Sequence, residues 1–226
     1  MPDAVMLFAA GFGTRMGDLT RDRPKPLVTV AGKPLIAHAM EIVRAAKLNT
    51  VVVNAHYKAD QIVDHFAHSD VQVLVESPEI LDTGGGLKAA LPVLKAETVF
   101  TMNTDAVWTG PNPLMMLQDA WRDDMQALLL CIPKDNAIGH NGSGDLDIRE
   151  DGTSVWGTET IYSGLQIIST DIVSDMGESV FSLKEVWQNL IDANQLHGIV
   201  YPGTWCDVGH PGGIALAETM LGYSDV

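Results

Sequence analysis

The sequence predicts an α/β fold: three layers, with helices packed on both faces of a mostly parallel central sheet and a small β-rich insertion. Two observations carry that expectation. Apolar or β-branched runs alternate with segments of helical periodicity from the first residues onward. Residues suited to chemistry follow directly after apolar strands, where open α/β sheets gather their ligands.

Residues 4–10 form an unbroken apolar run and read as a buried first strand. Segment 34–46 is helical: Leu35, Ile36, Ala39, Met40, Ile42, Val43 and Ala46 share one face, and His38, Glu41, Arg44 and Lys47 the other. A short β-branched strand, 50–54, follows. Residues 58–67 read as a helix with Ile62, Val63 and Phe66 inward, and 71–76 as a third strand. A helix opens at Thr83 and ends near Leu94; a strand spans 99–103 and leads into Asp105. Residues 113–121 read as helix and 127–132 as a central strand.

Beyond a glycine-rich loop at 139–144, residues 145–149 and 154–156 form a hairpin around Asp151-Gly152, and 160–169 a further strand. This β-rich stretch is expected to be an insertion covering the ends of the parallel sheet. A capping box, Ser182 with Glu185, opens a helix over 182–194 whose apolar face is Leu183, Val186, Trp187, Leu190 and Ile191. A strand at 199–201 and a helix at 211–221 complete the reading. No repeat or linker interrupts the chain, so a single domain over 1–226 is expected.

Hydrophobic residues make up 46% of the 226, yet no apolar run is long enough to span a membrane. The acidic start, Met1-Pro2-Asp3, runs straight into a strand without the pattern of a signal peptide. Cys131 and Cys206 lie far apart and outside any metal-ligand spacing, as suits reduced thiols. A cytoplasmic protein without a membrane partner is the expectation. The formal charge of −15 argues against a nucleic-acid partner. The cations are unevenly placed, however. Arg15, Arg21, Arg23, Lys25 and Lys33 cluster near the start, while Arg122, Lys134, Arg149 and Lys184 are the four beyond residue 100.

That cluster surrounds the chain's most informative stretch. The first strand runs into Gly11-Phe12-Gly13-Thr14-Arg15-Met16-Gly17, and Lys25 follows between Pro24 and Pro26. Glycines let amides turn outward toward phosphate oxygens. Arg15 adds a planar fork of donors, and the prolines hold the Lys25 backbone extended. A triphosphate fits this combination. The dinucleotide fingerprint does not: the spacing is Gly11-x-Gly13-x-x-x-Gly17, and the second strand ends at Asn54 rather than an acid. A Walker loop is excluded too, because no Gly-Lys-Ser/Thr is present. Asp105 and Asp207 each follow an apolar strand, and beside a phosphate loop two carboxylates suit Mg²⁺. The triplet Gly84-Gly85-Gly86 at a helix start is costly; its expected purpose is a bare backbone wall for a planar base.

Residues 7–16 together with Arg23-Pro24-Lys25-Pro26-Leu27 resemble the signature of the nucleoside-diphosphate-sugar pyrophosphorylases, or sugar-1-phosphate nucleotidyltransferases. The resemblance continues through Asp82-Thr83-Gly84-Gly85-Gly86, Asn103-Thr104-Asp105 and Trp205-Cys206-Asp207-Val208-Gly209, nearly the whole chain. It implies a Rossmann-like, glycosyltransferase-A-like fold and a reaction in which a sugar 1-phosphate attacks a nucleoside triphosphate and pyrophosphate leaves. It assigns Mg²⁺ to Asp105 and Asp207, the leaving phosphates to Arg15 and the charge growing at the α-phosphate to Lys25. The nucleotide would contact Ala9, Ala10, Gly11, Gly13, Thr14, Arg15, Lys25, Asn54, Gly84 and Gly85. The sugar phosphate would contact Asn103, Asp145, Glu159 and Gly164.

Length and the glycine triplet look most like the branch using UTP and N-acetylmuramate 1-phosphate, and hence peptidoglycan recycling. The alternatives are a cytidylyl- or guanylyltransferase acting on phosphocholine, heptose or mannose 1-phosphate, or a silent sugar-nucleotide sensor. The chain departs from the family in three places. Thr104 replaces the usual glycine of Asn-Gly-Asp and is expected to narrow the site. Asp82 stands where Glu is usual. Lys184 is the one candidate cation for the lactyl carboxylate of a muramate. No sequence for a C-terminal left-handed β-helix follows, so a single activity is expected.

Overall fold

Successive residues of the first strand belong to different cores. In the computed structural model, which describes residues 1–223, β1 (Ala4–Phe8) sends Val5 and Leu7 into one apolar cluster and Ala4 and Met6 into another. A strand buried on both faces requires helices on both, which is the layering expected of its unbroken apolar run.

After β1, two 3₁₀ turns carry the chain to a small hairpin, β2 (Thr29–Val30) and β3 (Lys33–Pro34), and then to α1 (Leu35–Ala46). β4 (Thr50–Ala55), α2 (Ala59–Phe66), β5 (Gln72–Val75), α3 (Asp82–Leu94) and β6 (Thr98–Asn103) complete the first half. Next come β7 (Ala106–Thr109), α4 (Pro113–Ala120), β8 (Ala127–Pro133) and β9 (Ala137–Ile138). The hairpin strands are β10 (Leu146–Ile148) and β11 (Ser154–Trp156), and β12 (Thr160–Ser169) leads into α5 (Thr170–Ser174). α6 (Leu183–Asp192), β13 (Leu196–Val200), β14 (Thr204–Asp207) and α7 (Gly212–Met220) end the described chain.

The main sheet runs β5-β4-β1-β6-β12-β8-β13, with the β10–β11 hairpin attached at the start of β12. β5, β4, β1 and β6 are parallel neighbours, as are β8 and β13. β12 is antiparallel to both β6 and β8 and joins the two parallel blocks. α1, α2 and α4 cover one face through Ile36, Met40, Ile62, Phe66, Leu114 and Leu117. α3 and α6 cover the other through Leu87, Ala90, Val186, Trp187 and Leu190. A second sheet, β7-β14-β9, packs with α7 and the β2–β3 hairpin around Met16, Val30, Leu35, Cys206 and Val208.

Local signals end the helices as expected. The capping box forms: Ser182 accepts from the first turn of α6 while Glu185 accepts from the Ser182 amide at 3.0 Å. Asn112 caps α4, ahead of Pro113.

Four expectations need correction. β1 stops at Phe8 rather than Ala10, because the Ala9 amide leaves the ladder to donate to the Asn54 side chain at 2.8 Å. The stretch 160–169 is no insertion: β12 is a central strand of the main sheet. β13 begins at Leu196, three residues before the expected start, and pairs along β8. Asp207 does not sit in a loop but ends β14, a strand the sequence did not reveal, as it did not reveal β7 or β9.

Candidate active site

A cleft of about 330 Å³ opens at the carboxyl ends of β1, β4 and β6. Its floor is Ala9, Ala10 and Gly11, and Asn54 stands beside them. Gly13, Thr14, Arg15, Lys25, Asn103 and Asp105 line one side, and Ile80, Asp82 and Thr83 the other.

The loop after β1 is held from beneath. Gly13 has φ 65°, and a Cβ there would lie 2.9 Å from Cβ of Lys25, so both its conformation and its space call for glycine. The Thr20 hydroxyl donates to the Gly13 carbonyl at 3.0 Å, and the Tyr57 hydroxyl donates to the Thr20 carbonyl at 2.9 Å. Phe12, half exposed, meets the His56 ring edge-on.

Lys25 is buried, and its Nζ donates to Oδ2 of Asp105 at 2.7 Å. Asp105 follows β6, whose end is tied down by its neighbour: the Thr104 hydroxyl donates to the Phe8 carbonyl at 2.7 Å. The Thr104 hydroxyl is therefore tied to the backbone of β1, while the residue still lines the cleft.

The second carboxylate arrives through the small sheet. Asp207 pairs across β14 and β7 with Ala106, and the Val208 amide donates to the Asp105 carbonyl at 2.9 Å. The two aspartates are thus neighbours across a strand pair. Burial, and then the Asp105 charge, push the Asp207 carboxyl above the usual carboxylate range, against the pull of Lys25, Arg15 and His140. A Cβ on Gly209 would lie 2.8 Å from an Asp207 oxygen and 3.1 Å from Nη1 of Arg15, so a bare glycine separates that cation from that anion. His140 belongs to the electrostatic surroundings of Asp207.

No third His, Cys, Asp or Glu joins the pair into a metal-binding group among the described residues. Two neighbouring carboxylates form a hard-oxygen donor set beside the glycine loop. Paired carboxylates of this kind are the hard-oxygen type of donor that Mg²⁺ takes, in place of a full protein cage. Burial pushes the Cys131 thiol up to about 12 and the Cys206 thiol up to about 11, so neither is poised as a nucleophile.

The other expected contacts divide. Asn103 lines the cleft, and Gly164, at φ 85° in the β12 bulge, lets that strand pass it: a Cβ would lie 2.7 Å from the Asn103 amide nitrogen. Asp145 and Glu159 lie outside the lining. The Asp145 carboxylate accepts from the Tyr162 amide at 3.0 Å, and the Glu159 amide donates to Asp147 at 2.8 Å, so both sit in the bracing of the hairpin. Lys184 is exposed at the start of α6, also outside the lining.

Gly84 and Gly85 do not face the cleft. Their amides donate to the Phe181 carbonyl at 2.9 and 3.1 Å. A Cβ on Gly84 would overlap the Phe181 ring, and one on Gly85 the Ser179 carbonyl. The wall against which this bare backbone lies is the chain's own 179–181 segment, not a base. Sequence reasoning also missed Glu76, a buried carboxylate bonded to Asn54 and to the Leu81 amide. It closes the expected strand 71–76, and no motif singles it out.

Comparison with known proteins places this geometry. The MobA-like NTP transferase domain family matches residues 5–213. The N-acetylmuramate alpha-1-phosphate uridylyltransferase of Caulobacter vibrioides is 34% identical over 97% of this chain and 97% of its own length. That of Neisseria meningitidis serogroup B is 30% identical over 96% and 97%. The crystal structure of HddC from Yersinia pseudotuberculosis complexed with GMP-PN superposes with a TM-score of 0.78 at 25% identity, covering 96% of this chain and 99% of that one.

Proposed function

The chain belongs to the MobA-like NTP transferase family and is a sugar-1-phosphate nucleotidyltransferase, and we propose that it joins UTP to N-acetylmuramate 1-phosphate with Mg²⁺ as cofactor. The observation that carries the chemistry is the convergence of Arg15, Lys25 and Asp105 on one cleft, with Asp207 within the electrostatic reach of all three. The choice of UTP and muramate is supported by the two relatives similar over almost their full length.

The attacking group is a sugar phosphate, already anionic near neutral pH, so no general base is required. The obstacle is the approach of one anion to another, and the site's task is alignment and neutralisation. The loop amides and Arg15 hold the leaving β- and γ-phosphates. Lys25, 2.7 Å from Asp105, delivers a fixed positive charge beside the α-phosphate. Asp105 and Asp207 would hold the Mg²⁺, which when bound supplies charge neutralisation between the two phosphates. Asn103 orients the sugar, and Ala9 to Gly11 support the base. In the cytoplasm such a reaction would return cell-wall muramate to nucleotide-activated form, a step of peptidoglycan recycling.

Pyrophosphate release across a panel of nucleoside triphosphates and sugar 1-phosphates tests the reading. UTP with N-acetylmuramate 1-phosphate is expected to give the highest kcat/KM. One observation favours a second reading, a guanylyltransferase: the similarity in fold to HddC, solved with GMP-PN. If GTP or CTP wins the panel, the muramate assignment falls and the transferase survives. Nucleotide binding without turnover on any pair would mean a sensor.

A further inference from the structure

We propose that Glu76 is a positioning residue for the nucleotide, setting the gap between the cleft floor that would carry the base and the wall of residues 80–83, without itself touching the ligand. The proposal rests on the nucleotide-binding reading of the cleft. Glu76 follows β5, is 6% exposed and does not line the cleft. One of its oxygens, Oε1, accepts from the Asn54 side-chain nitrogen at 2.7 Å; the other, Oε2, accepts from the Leu81 amide at 2.8 Å. Asn54 in turn accepts from the Ala9 amide at 2.8 Å. Ala9 is the cleft floor, and Leu81 lies between the opposite-wall residues Ile80 and Asp82. One carboxylate therefore fastens that wall to the floor.

The chain of bonds has a fixed direction. Ala9 donates to Asn54, Asn54 donates to Glu76, and Leu81 donates to Glu76 from the other side. Two donors converge on residue 76, so only a group with two acceptor oxygens satisfies both. Asn54 cannot turn over to relieve a mismatch, because its nitrogen would then face the Ala9 amide. It follows that Asn54, although it lines the cleft, has its oxygen and one amide proton committed to the relay. Gly86 completes the arrangement: a Cβ there would lie 2.7 Å from Oε1 of Glu76 and 2.9 Å from the Asn54 nitrogen. The third glycine of the triplet makes room for the carboxylate.

Glu76→Gln keeps the shape and puts an N–H against one of the two donors. Leaving a buried donor unpaired in this way is expected to weaken nucleoside triphosphate binding about tenfold. Binding of pyrophosphate, which lacks a base, should stay within about twofold of wild type by the same measure. The decisive variant is Asn54→Asp with Glu76→Gln. There the carboxylate introduced at position 54 accepts from the Ala9 amide and from the side-chain amide introduced at position 76. The oxygen of that side-chain amide accepts from Leu81, so every bond is restored with the carboxylate moved to the other position.

Calorimetric titration with UTP, GTP and pyrophosphate in Mg²⁺, at a temperature where melting curves show all variants folded, reads the effect without requiring turnover. The expected result is selective loss of triphosphate affinity in Glu76→Gln and its recovery by more than about threefold in the double variant. Equal loss for pyrophosphate, unchanged triphosphate affinity in Glu76→Gln, or a double variant no better than the single one would overturn the proposal. A wild type that binds triphosphate but releases no pyrophosphate refutes the transferase reading while leaving the relay to be judged by these ratios. A wild type that binds no triphosphate refutes both.

Discussion

Lys25→Met should cost both stability and catalysis, and a second substitution should return only the stability. The side chains of Lys25 and Asp105 are 10% and 32% exposed, and their charged atoms lie 2.7 Å apart. Methionine retains much of the apolar stem and removes the charge. Breaking a fully buried pair costs about 3–5 kcal/mol, whereas an exposed pair is worth at most about 1 kcal/mol. With the lysine buried and the carboxylate about one third exposed, water can reach Asp105, and about 2 kcal/mol is the appropriate magnitude. For a chain of this size that lowers the melting temperature by about 4–8 °C. Adding Asp105→Asn removes the orphaned charge, so the double variant should recover at least about half of the loss. Turnover should not recover, because the Lys25 charge matters most in the transition state: kcat should fall far more than KM for the triphosphate rises. Calorimetric melting and steady-state kinetics on the four proteins of the cycle give both readouts. A Lys25→Met protein melting within about 1 °C of wild type, or one with raised KM alone, would refute the reasoning.

Asp105→Asn or Asp207→Asn should each reduce turnover by well over tenfold, a loss of more than ~1.4 kcal/mol of transition-state stabilisation. A variant retaining more than that leaves its residue outside the metal site. Asp207→Asn carries a second consequence. Its carboxyl pKa is raised on folding, chiefly by burial, so the ionised group opposes folding at neutral pH. That opposition fades as pH falls through the folded value and is gone below the unfolded one. With metal chelated, Asp207→Asn should therefore melt above wild type at pH 7, with the gap closing in acid; a lower melting point at pH 7 contradicts the sign. Gly85→Ala sets helix propensity against packing. Alanine gains about 1 kcal/mol within a helix, but its Cβ would overlap the Ser179 carbonyl, a backbone atom that cannot swing aside. Overpacking of about 1–3 kcal/mol wins, and melting should fall while nucleotide affinity changes little; a rise in melting temperature would show that segment 179–181 yields.

What could be read from the sequence divides along physical lines. α1 and α6 were legible because their apolar faces repeat from turn to turn along the helix, and α6 also announces its own start with Ser182 and Glu185. The phosphate loop was legible because Arg15 and Lys25 flank glycines whose conformation can be inferred locally. β7 and β14 were not, being four residues each and justified only by pairing with strands far away in the sequence. β12 was seen at its true length but assigned to an insertion, since alternation along a strand does not say which neighbours lie beside it. Gly84 and Gly85 show the same limit at the site. The sequence says that a Cβ is unwelcome there; only the fold says that the objecting atoms belong to Ser179 and Phe181. Glu76 was hidden because a carboxylate's two acceptors acquire meaning only when two donors are seen to converge on it.

The pairing of β7 with β14 also imposes a timetable on the growing chain. The glycine loop, Lys25 and Asp105 all leave the ribosome early, and β1, β4, β5 and β6 can assemble as parallel neighbours once Asn103 has emerged. Asp207 comes a hundred residues later, on the last strand of the described fold. Until then β7 lacks its β14 partner, and Asp105 has Lys25 as its counter-charge but no fellow carboxylate. A nascent chain thus carries the glycine loop, Lys25 and Asp105 well before it carries Asp207. Domains generally fold as units, and here the second carboxylate joins the first only when β14 closes onto β7.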